Sequence, residues 1–276
     1  ILIFLSVIVI SFGTAGNALV VGIVVKSKNM KTATNILIAN LALADIMVLF
    51  FDLPLTLHYQ LNRIWVHGIF LCHAFYMLFG VFECVSILSM TAIAIDRYVL
   101  IVRPLSTKLT PLNAVLLAAF IFLISTIVAL PAGIFVKVTD LSNDKIGFRM
   151  VTCGDDWPDK GDWYRKIYTV AVILMMFVFP LFVIACLYTL IFNKIRQRIK
   201  SRSGSSSKTN RMLVTVVLVF VVSWVPHQLV TSVYEFFPYL DPDRETISMV
   251  DLYFRLLAFS SSCINPILYG YMNDNF

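Results

Sequence analysis

The chain has 276 residues, of which 59% are hydrophobic and only 14% charged, and its formal net charge is +6. A soluble domain of this size needs a larger share of charged surface, so the composition excludes a water-soluble globular protein and favours a membrane protein. A helix that crosses about 30 Å of hydrocarbon needs roughly 20 apolar residues, and segments of this length can be searched for directly.

Seven such segments follow one another along the chain. They are Ile1–Val25, Asn35–Tyr59, Phe70–Ile101, Leu112–Val136, Tyr164–Ile195, Met212–Phe237 and Ile247–Tyr271. They are too long for the strands of a membrane β-barrel, which run about 10 residues. The sequence therefore predicts an all-α membrane protein with one domain, a seven-transmembrane helix bundle. Because the chain begins and ends beside a segment, we expect an N-terminus and a cytoplasmic tail outside this sequence.

The loops between the segments differ in charge. The first, third and fifth are basic, with Lys26, Lys28, Lys31, Arg103, Lys108, Lys194, Arg196, Arg198, Lys200, Arg202, Lys208 and Arg211 in or beside them. The fourth is acidic, with Asp140, Asp144, Asp155, Asp156, Asp159 and Asp162. Loops rich in lysine and arginine stay in the cytoplasm, so the odd-numbered loops are expected there. The same rule accounts for the net charge and gives no reason to expect a nucleic-acid partner.

Asp45 lies midway along the second segment. A lone carboxylate at that depth either takes up a proton or binds a cation, because an unpaired charge is costly in hydrocarbon. In the first case a protonated Asp45 would bond to Asn17 and Asn265. In the second it would need further oxygen ligands, and the residues alone leave both possibilities open.

Two of the five cysteines are expected outside the cell. Cys72 opens the third segment and Cys153 lies in the acidic loop. An oxidising compartment favours a disulfide between them, which would hold the loop over the mouth of the bundle; the alternative is two free thiols. Cys84, Cys186 and Cys263 lie inside segments, where cysteine acts as a small hydrophobic residue.

Three short motifs occur in the third, sixth and seventh segments. Asp96-Arg97-Tyr98 closes the third, and an arginine at the rim of a span is usually functional because it is costly to place. The sixth contains Phe220-x-x-Ser223-Trp224-x-Pro226, and the seventh contains Asn265-Pro266-x-x-Tyr269. In this order the motifs resemble those of the rhodopsin-like (class A) G-protein-coupled receptors, and the resemblance covers nearly the whole chain.

The resemblance implies a sodium site around Asp45. The positions that hold the ion with this aspartate correspond to Ser86, Ser261, Ser262 and Asn265. Ligands that offer only oxygen suit such a hard cation. The ion would be an allosteric modulator that leaves on activation, and no other cofactor is expected.

The resemblance also implies a switch at the arginine. Asp96 is expected to bond to Arg97 at rest, until the sixth helix moves outward and Tyr188 and Tyr269 close behind the arginine. The acid that many of these receptors carry at the base of the sixth helix is absent. Lys208 to Arg211 stand there instead, so only the Asp96 contact is expected.

A second set of implied switches lies deeper in the bundle. Pro180, Ile87 and Phe220 are expected to pack beneath Trp224 as an activation relay. Prolines weaken a helix locally, so Pro180, Pro226 and Pro266 are expected to mark bends. The fourth segment departs from the family, because Phe120, Ile121 and Phe122 occupy the region where a tryptophan is usual. We expect altered packing there.

The lack of a lysine in the seventh segment argues against retinal, and Phe79 argues against a monoamine ligand. It stands seven residues after Cys72, where amine receptors carry an aspartate. The seventh segment has no lysine for a retinal Schiff base, and its one basic residue, Arg255, cannot form one. A peptide is the better candidate because the rim is broad, acidic and aromatic, although plain solvation is the alternative for acidic loops.

The loop sequences narrow the family further. Trp157-Pro158 with Gly161-x-Trp163-Tyr164, and Thr209-Asn210-Arg211-Met212, resemble somatostatin receptors. Phe79 is more like galanin receptors, and the glycine after Tyr269 is similar to neuropeptide Y receptors. We place the chain in the somatostatin, galanin and allatostatin receptor group of neuropeptide receptors.

We expect the peptide to carry a basic side chain. Glu235 is the strongest candidate for its counter-ion, because an acid at the end of the sixth helix can stay ionised and solvated. Asp52 and Glu83 are further candidates, or else are protonated or bonded to neighbouring helices. The predicted pocket consists of Asp52, His58, Tyr76, Phe79, Glu83, Trp157, His227, Gln228, Thr231 and Glu235.

The predicted activity is that of a receptor in the plasma membrane. We find no Walker loop, His-Glu-x-x-His or nucleophile elbow, so an enzyme is not expected. The resemblance implies peptide-triggered nucleotide exchange on a heterotrimeric G protein of the Gi/o class, with arrestin as another partner. The alternatives are a neuropeptide Y or RFamide-type receptor coupled to Gq and, more distantly, an ion-coupled transporter.

Overall fold

The computed structural model describes residues 2–142, 150–158, 163–199, 207–237 and 244–272, without the side chains of 198–199, 207–214, 216, 244–248 and 268–272. Seven long helices form a bundle. Five are continuous: α1 (Leu2–Lys26), α3 (Gly68–Val102), α4 (Pro111–Ile134), α6 (Ser207–Phe236) and α7 (Arg244–Met272). Two are α-helices interrupted by a π-helical turn: α2 (Ala33–Met47, Val48–Asp52, Leu53–Asn62) and α5 (Trp163–Val172, Ile173–Val178, Phe179–Ile199). The predicted all-α fold is confirmed.

The bundle is apolar on the outside and carries polar groups inside. Within the part of the chain that the structure describes, six helices, α1 to α6, are long and apolar enough to cross a membrane, whereas α7 contains Asp251 and Arg255 in its first half. Phe12 and Phe70 are 72% and 80% exposed, while Asn17 is fully buried. This distribution is the reverse of that in a soluble protein and suits a hydrocarbon surrounding.

Each π-helical turn directly precedes a proline. Val48–Asp52 comes before Pro54, and Ile173–Val178 comes before Pro180. A proline ring clashes with the carbonyl four residues earlier and has no N–H to donate, so the turn before it widens. Pro226 and Pro266 lie inside α-helix without such a turn.

Helices α1 and α7 pack closely at a glycine. A Cβ added at Gly16 would lie 3.0 Å from Cβ and Cγ of Pro266. Next to it, Asn17 Nδ2 donates to the carbonyls of Gly13 and Ser262, each at 2.9 Å. The absence of a side chain at Gly16 therefore allows α1 to hold the seventh helix beside its proline.

A β-hairpin covers one end of the bundle. Strands β1 (Val136–Asp140) and β2 (Val151–Asp155) pair antiparallel, with Val138 opposite Cys153. The sequence analysis extended the fourth span to Val136 and anticipated no strands here, but α4 ends at Ile134. The alternating β-branched residues of β1 favour a strand instead. We call this the hairpin end, and the opposite end, where Asp96 and Arg97 lie, the Arg97 end.

Candidate functional site

The hairpin is fixed to the bundle at Cys153. This residue forms the predicted disulfide with Cys72 of α3. Its carbonyl accepts hydrogen bonds from the hydroxyls of Tyr59 (3.2 Å) and Tyr76 (3.3 Å). Trp65 N donates to the carbonyl of Val151 at 2.7 Å. These bonds hold β2 over the mouth of the helices. The sequence predicted this position for the loop as a consequence of the disulfide.

Below the hairpin, Phe79 lies in a cluster of aromatic rings. Its centroid is 6.4 Å from that of Trp224, 6.3 Å from that of His227 and 6.3 Å from that of Phe259. Trp224 and Phe259 are almost fully buried. The position at which amine receptors carry an acid is thus part of an apolar floor that joins α3, α6 and α7.

Arg255 of α7 lies against this floor. Its Cζ is 4.8 Å from the centre of the Phe79 ring, and its Nε is 3.4 Å from Asp251 Oδ2. Asp251 Oδ1 in turn lies 3.5 Å from His227 Nε2. The sequence analysis did not include Asp251 or Arg255 in the pocket. The signal was present, because two opposite charges four residues apart within a membrane helix are rarely there by chance.

The two deeper acids of the predicted pocket are engaged within the protein. Glu83 accepts a short hydrogen bond from Gln228 Nε2 of α6. Asp52 Oδ2 accepts one from Thr56 Oγ1 at 3.4 Å, while its Oδ1 has no hydrogen-bond partner. Both acids also interact electrostatically with Arg255. For Glu83 this is the alternative expected from the sequence, an acid bonded to a neighbouring helix.

Glu235 is paired as well. Its Oε1 lies 3.0 Å from Nε of Arg165, whose Nη1 is 3.2 Å from Asp155 Oδ2 in the hairpin. The Glu235 and Arg165 side chains are 14% and 25% exposed. Arg165 lies in the first turn of α5 and was not predicted as a site residue. The rim acid is therefore paired with an arginine of the same chain.

Three predicted pocket residues make contacts of other kinds. Trp157 packs between Phe135 and Tyr168, with ring centroids 4.7 and 5.3 Å away. Thr231 Oγ1 donates to the carbonyl of His227 in its own helix. His58 is exposed, and its Nδ1 lies 3.1 Å from His67 Nε2. Burial, and to a lesser extent the neighbouring His58, lower the pKa of His67.

In the middle of the bundle, Asp45 lies in a small polar cavity. Its Oδ1 accepts from Ser262 Oγ (2.9 Å), and its Oδ2 from Asn265 Nδ2 (2.8 Å). The cavity, of about 10 Å³, is also lined by the other two predicted sodium ligands, Ser86 and Ser261. All five predicted residues therefore meet at one place. The structure shows no hydrogen bond between Asn17 and Asp45, which corrects one bond of the protonated alternative: Asn17 Nδ2 donates to the carbonyls of Gly13 and Ser262, and its Oδ1 has no hydrogen-bond partner.

The predicted relay residues lie just above this cavity. Ile87, Phe220 and Trp224 belong to one buried cluster, and the rings of Phe220 and Trp224 stack at 5.5 Å. Pro180 is also buried. Trp224 Nε1 donates to Ser261 Oγ at 3.3 Å, so the aromatic cluster and the lining of the Asp45 cavity are directly joined. A movement of the Phe79 or Trp224 ring can therefore reach the Asp45 cavity through Ser261.

At the Arg97 end, the expected bond between Asp96 and Arg97 is not formed. Asp96 Oδ2 accepts a hydrogen bond of 2.5 Å from Thr34 Oγ1 of α2, and no ion pair within 4.0 Å joins it to Arg97. Arg97 Nε has no hydrogen-bond partner, although the guanidinium interacts electrostatically with Asp96 and Tyr188. The threonine hydroxyl thus takes one oxygen of the carboxylate that Arg97 was expected to contact.

Two further switch residues complete this end of the bundle. The Tyr98 ring is 5.8 Å from the guanidinium carbon of Arg103. The side chain of Tyr269 lies outside the described residues.

One feature was missed in the sequence: Leu105, in the segment after α3, is fully exposed (101%). An apolar residue among polar neighbours is a weak signal that only the structure makes visible.

Comparison with known proteins agrees with this geometry. Residues 16–269 match the family described as "7 transmembrane receptor (rhodopsin family)". The chain is 34% identical to neuropeptide Y receptor type 2 of Cavia porcellus and of Homo sapiens, over 97% of the chain and 72% of each relative. It is 35% identical to the same receptor type of Gallus gallus, over 100% of the chain and 73% of the relative.

Proposed function

The chain belongs to the rhodopsin family of seven-transmembrane, G-protein-coupled receptors, a family of receptors and not of enzymes, and we propose that it binds an extracellular neuropeptide at the hairpin end. We further propose that peptide binding triggers nucleotide exchange on a heterotrimeric G protein at the Arg97 end. The basic odd-numbered loops then face the cytoplasm, and the receptor lies in the plasma membrane.

The observation that carries the ligand proposal is the arrangement of charges below and beside the hairpin. Glu235, Arg165 and Asp155 form a chain of alternating charges at the rim, and Asp251 and Arg255 form a second pair over Phe79. A peptide offers charged side chains and backbone groups that can exchange with both pairs. The relatives named as neuropeptide Y receptors support a peptide ligand. They favour the neuropeptide Y receptor group, which Gly270 after Tyr269 also resembles.

The residues proposed to contact the G protein lie around Arg97. The guanidinium interacts electrostatically with Asp96 and Tyr188 but forms no ion pair within 4.0 Å with a described acid, so it can exchange these interactions for a partner. Leu105, in the segment after α3, presents a fully exposed apolar side chain, which suits insertion into a pocket of a docked protein. We propose the Gi/o class as the first partner, with Gq less favoured, and arrestin as a competitor for the same surface.

A sodium ion fits the cavity around Asp45. The side chains that line it include two carboxylates (Asp45 and Glu83), three hydroxyls and an amide, which are oxygen ligands of the kind that hard cations prefer. Asp45, Ser86, Ser261, Ser262 and Asn265 would hold the ion. Bound there, the ion would compensate the negative charge of Asp45. It would thereby stabilise the arrangement of α2, α3 and α7 around the cavity.

The test is reconstitution of the full-length receptor with purified G protein. A peptide library is screened for ligands that accelerate guanine-nucleotide exchange on Gi/o and on Gq. Arg97→Ala should abolish the acceleration while peptide binding stays measurable, and Lys28→Ala, a basic control in the first cytoplasmic loop, should keep it. Full exchange activity in Arg97→Ala would overturn the docking mechanism, and a faster response of Gq than of Gi/o would overturn the choice of partner.

A further inference from the structure

A second, larger cavity lies on the outside of the bundle, away from the peptide pocket and the Asp45 site. It has a volume of about 860 Å³ and lies between α3, α4 and the segment that joins them. This is within the usual range for ligand sites, about 300–1,000 Å³. Its lining includes Ile95 and Phe120, which are 47% and 57% exposed, so the cavity opens towards the bilayer. We call it the α3–α4 cavity.

The walls of this cavity are mainly aliphatic and aromatic. Leu88, Ala92, Leu117, Ile121 and Ile124 are among the lining residues. A cavity this large and this apolar does not stay empty in a membrane, because lipid chains are in direct contact with its opening. Most of the lining faces lipid chains and only its end near Lys108 lies at the polar loop, so an amphipathic molecule, a lipid, fits it best.

The polar groups of the lining identify the kind of lipid. Thr91 Oγ1 donates to the carbonyl of Ile87, and Thr110 Oγ1 accepts from Asn113 N as the cap of α4. Asp96, the acid among the lining residues, is buried and accepts a hydrogen bond from Thr34 Oγ1. The exposed Lys108 is the one lining residue with a positive charge, and it makes no ion pair within 4.0 Å with any acid in the described part of the chain.

We propose that the α3–α4 cavity binds one anionic phospholipid, with an acyl chain along Leu117 and Ile121 and the phosphate against Lys108. Lys108 lies at the Arg97 end, which the orientation proposed above places in the cytoplasmic leaflet, where anionic lipids are concentrated. A lysine near that surface attracts such headgroups and adds charge complementarity to the apolar fit. The site uses that orientation but does not depend on the peptide or the G protein.

The test compares two lysine variants of the full-length receptor in nanodiscs that contain equal amounts of phosphatidylcholine and phosphatidylserine. Native mass spectrometry counts the phospholipids that remain bound after mild release. Lys108→Gln should reduce retained phosphatidylserine at least threefold, whereas Lys28→Gln, another exposed cytoplasmic lysine, should retain as much as the wild type. Equal retention in the two variants would overturn the contact with Lys108.

A photo-crosslinking experiment tests the position of the acyl chain. Phosphatidylserine with a photoreactive chain should label the segments 88–99 and 117–124, and Leu117→Trp, which fills the cavity, should reduce this labelling at least threefold. Labelling of Phe12 on the opposite exposed face of α1 should not change in that variant. Uniform labelling of all exposed faces, or equal labelling of the cavity by phosphatidylcholine or by a photoreactive sterol, would overturn the proposal. Thermal unfolding of each variant verifies that it is folded.

Discussion

The guanidinium of Arg255 lies over the ring of Phe79, with Cζ 4.8 Å from the ring centre. Phe79 stands at the position where amine receptors carry an acid, and here the cation of Arg255 packs against it. The interaction of a buried cation with an aromatic face is worth about 2 kcal/mol or more. Because Asp251 holds the same arginine and Asp52 and Glu83 interact with it, the floor of the pocket is a charge network centred on one arginine and not a cluster of free acids.

Removal of Arg255 is therefore expected to destabilise the receptor. Arg255→Gln removes the permanent cation beside Asp251 and leaves it only His227, and breaking a buried pair in this way costs about 3–5 kcal/mol. The melting temperature of the purified receptor should fall clearly, whereas Arg255→Lys should lower it less because the charge remains. The double variant with Asp251→Asn should recover part of the loss. Additive effects of the two single changes would show that the side chains are not coupled.

Most of the fold follows from sequence, because seven long apolar segments determine the number of helices. The charge of the loops predicts their orientation. The set of residues around Asp45 was predicted from the resemblance to the receptor family, since the residues alone left a proton and a cation as alternatives. The β-hairpin and the partners of the charged residues do not follow from the sequence. Which acid meets Arg165 or Arg255 depends on the rotation of each helix about its own axis, and a sequence of nearly uniform apolar character leaves that rotation undetermined.

Gly16 should be more sensitive to substitution than Gly22. Gly16→Ala places a Cβ 3.0 Å from the rigid ring of Pro266, and such overpacking costs about 1–3 kcal/mol. Gly22 has no atom within 4 Å of an added Cβ, so Gly22→Ala should be neutral or slightly stabilising. Thermal unfolding of the two variants measures the difference. Equal melting temperatures would mean that α1 can move away from α7 without cost.

Sodium is expected to oppose activation through Asp45. An ion that binds only the inactive state stabilises it, so sodium at about ten times its dissociation constant should weaken agonist binding roughly tenfold. The dependence should vanish in Asp45→Asn and persist in Asp52→Asn, a buried acid further along the same helix. Agonist competition is measured with sodium replaced by choline at fixed ionic strength. Indifference of the wild type to sodium would favour a protonated Asp45.

The bond between Thr34 and Asp96 is expected to set the basal activity. Thr34→Val removes the hydroxyl that occupies the carboxylate, so Asp96 can pair with Arg97 and hold it back from the G protein. Hydrogen bonds to charged groups are worth about 1.5–3 kcal/mol, so basal nucleotide exchange should fall about tenfold or more. Thr91→Val is the matched control, because Thr91 bonds only within its own helix. A higher or unchanged basal rate in Thr34→Val would contradict this role of the threonine.

The pair between Arg165 and Glu235 leads to a prediction about the peptide. A basic side chain of the ligand has to displace Arg165 from Glu235, because the two are 3.0 Å apart. We therefore expect Glu235→Gln to weaken a basic peptide by about 2–5 kcal/mol, the usual cost of truncating one partner of a desolvated pair. Arg165→Gln should strengthen the same peptide, since it removes the competitor.

Asp155→Asn serves as the control for both changes. This acid contacts Arg165 from the exposed side of the rim, where an ion pair is worth only about 0–1 kcal/mol, so its loss should change potency little. The measurement is the concentration of the peptide selected in the library screen that gives half-maximal nucleotide exchange, for the wild type and the three variants. A selected peptide without lysine or arginine, or one whose potency ignores both Glu235 and Arg165, would show that the rim pair is structural. The membership of the chain in the receptor family would not be affected, because it depends on the seven helices and their motifs.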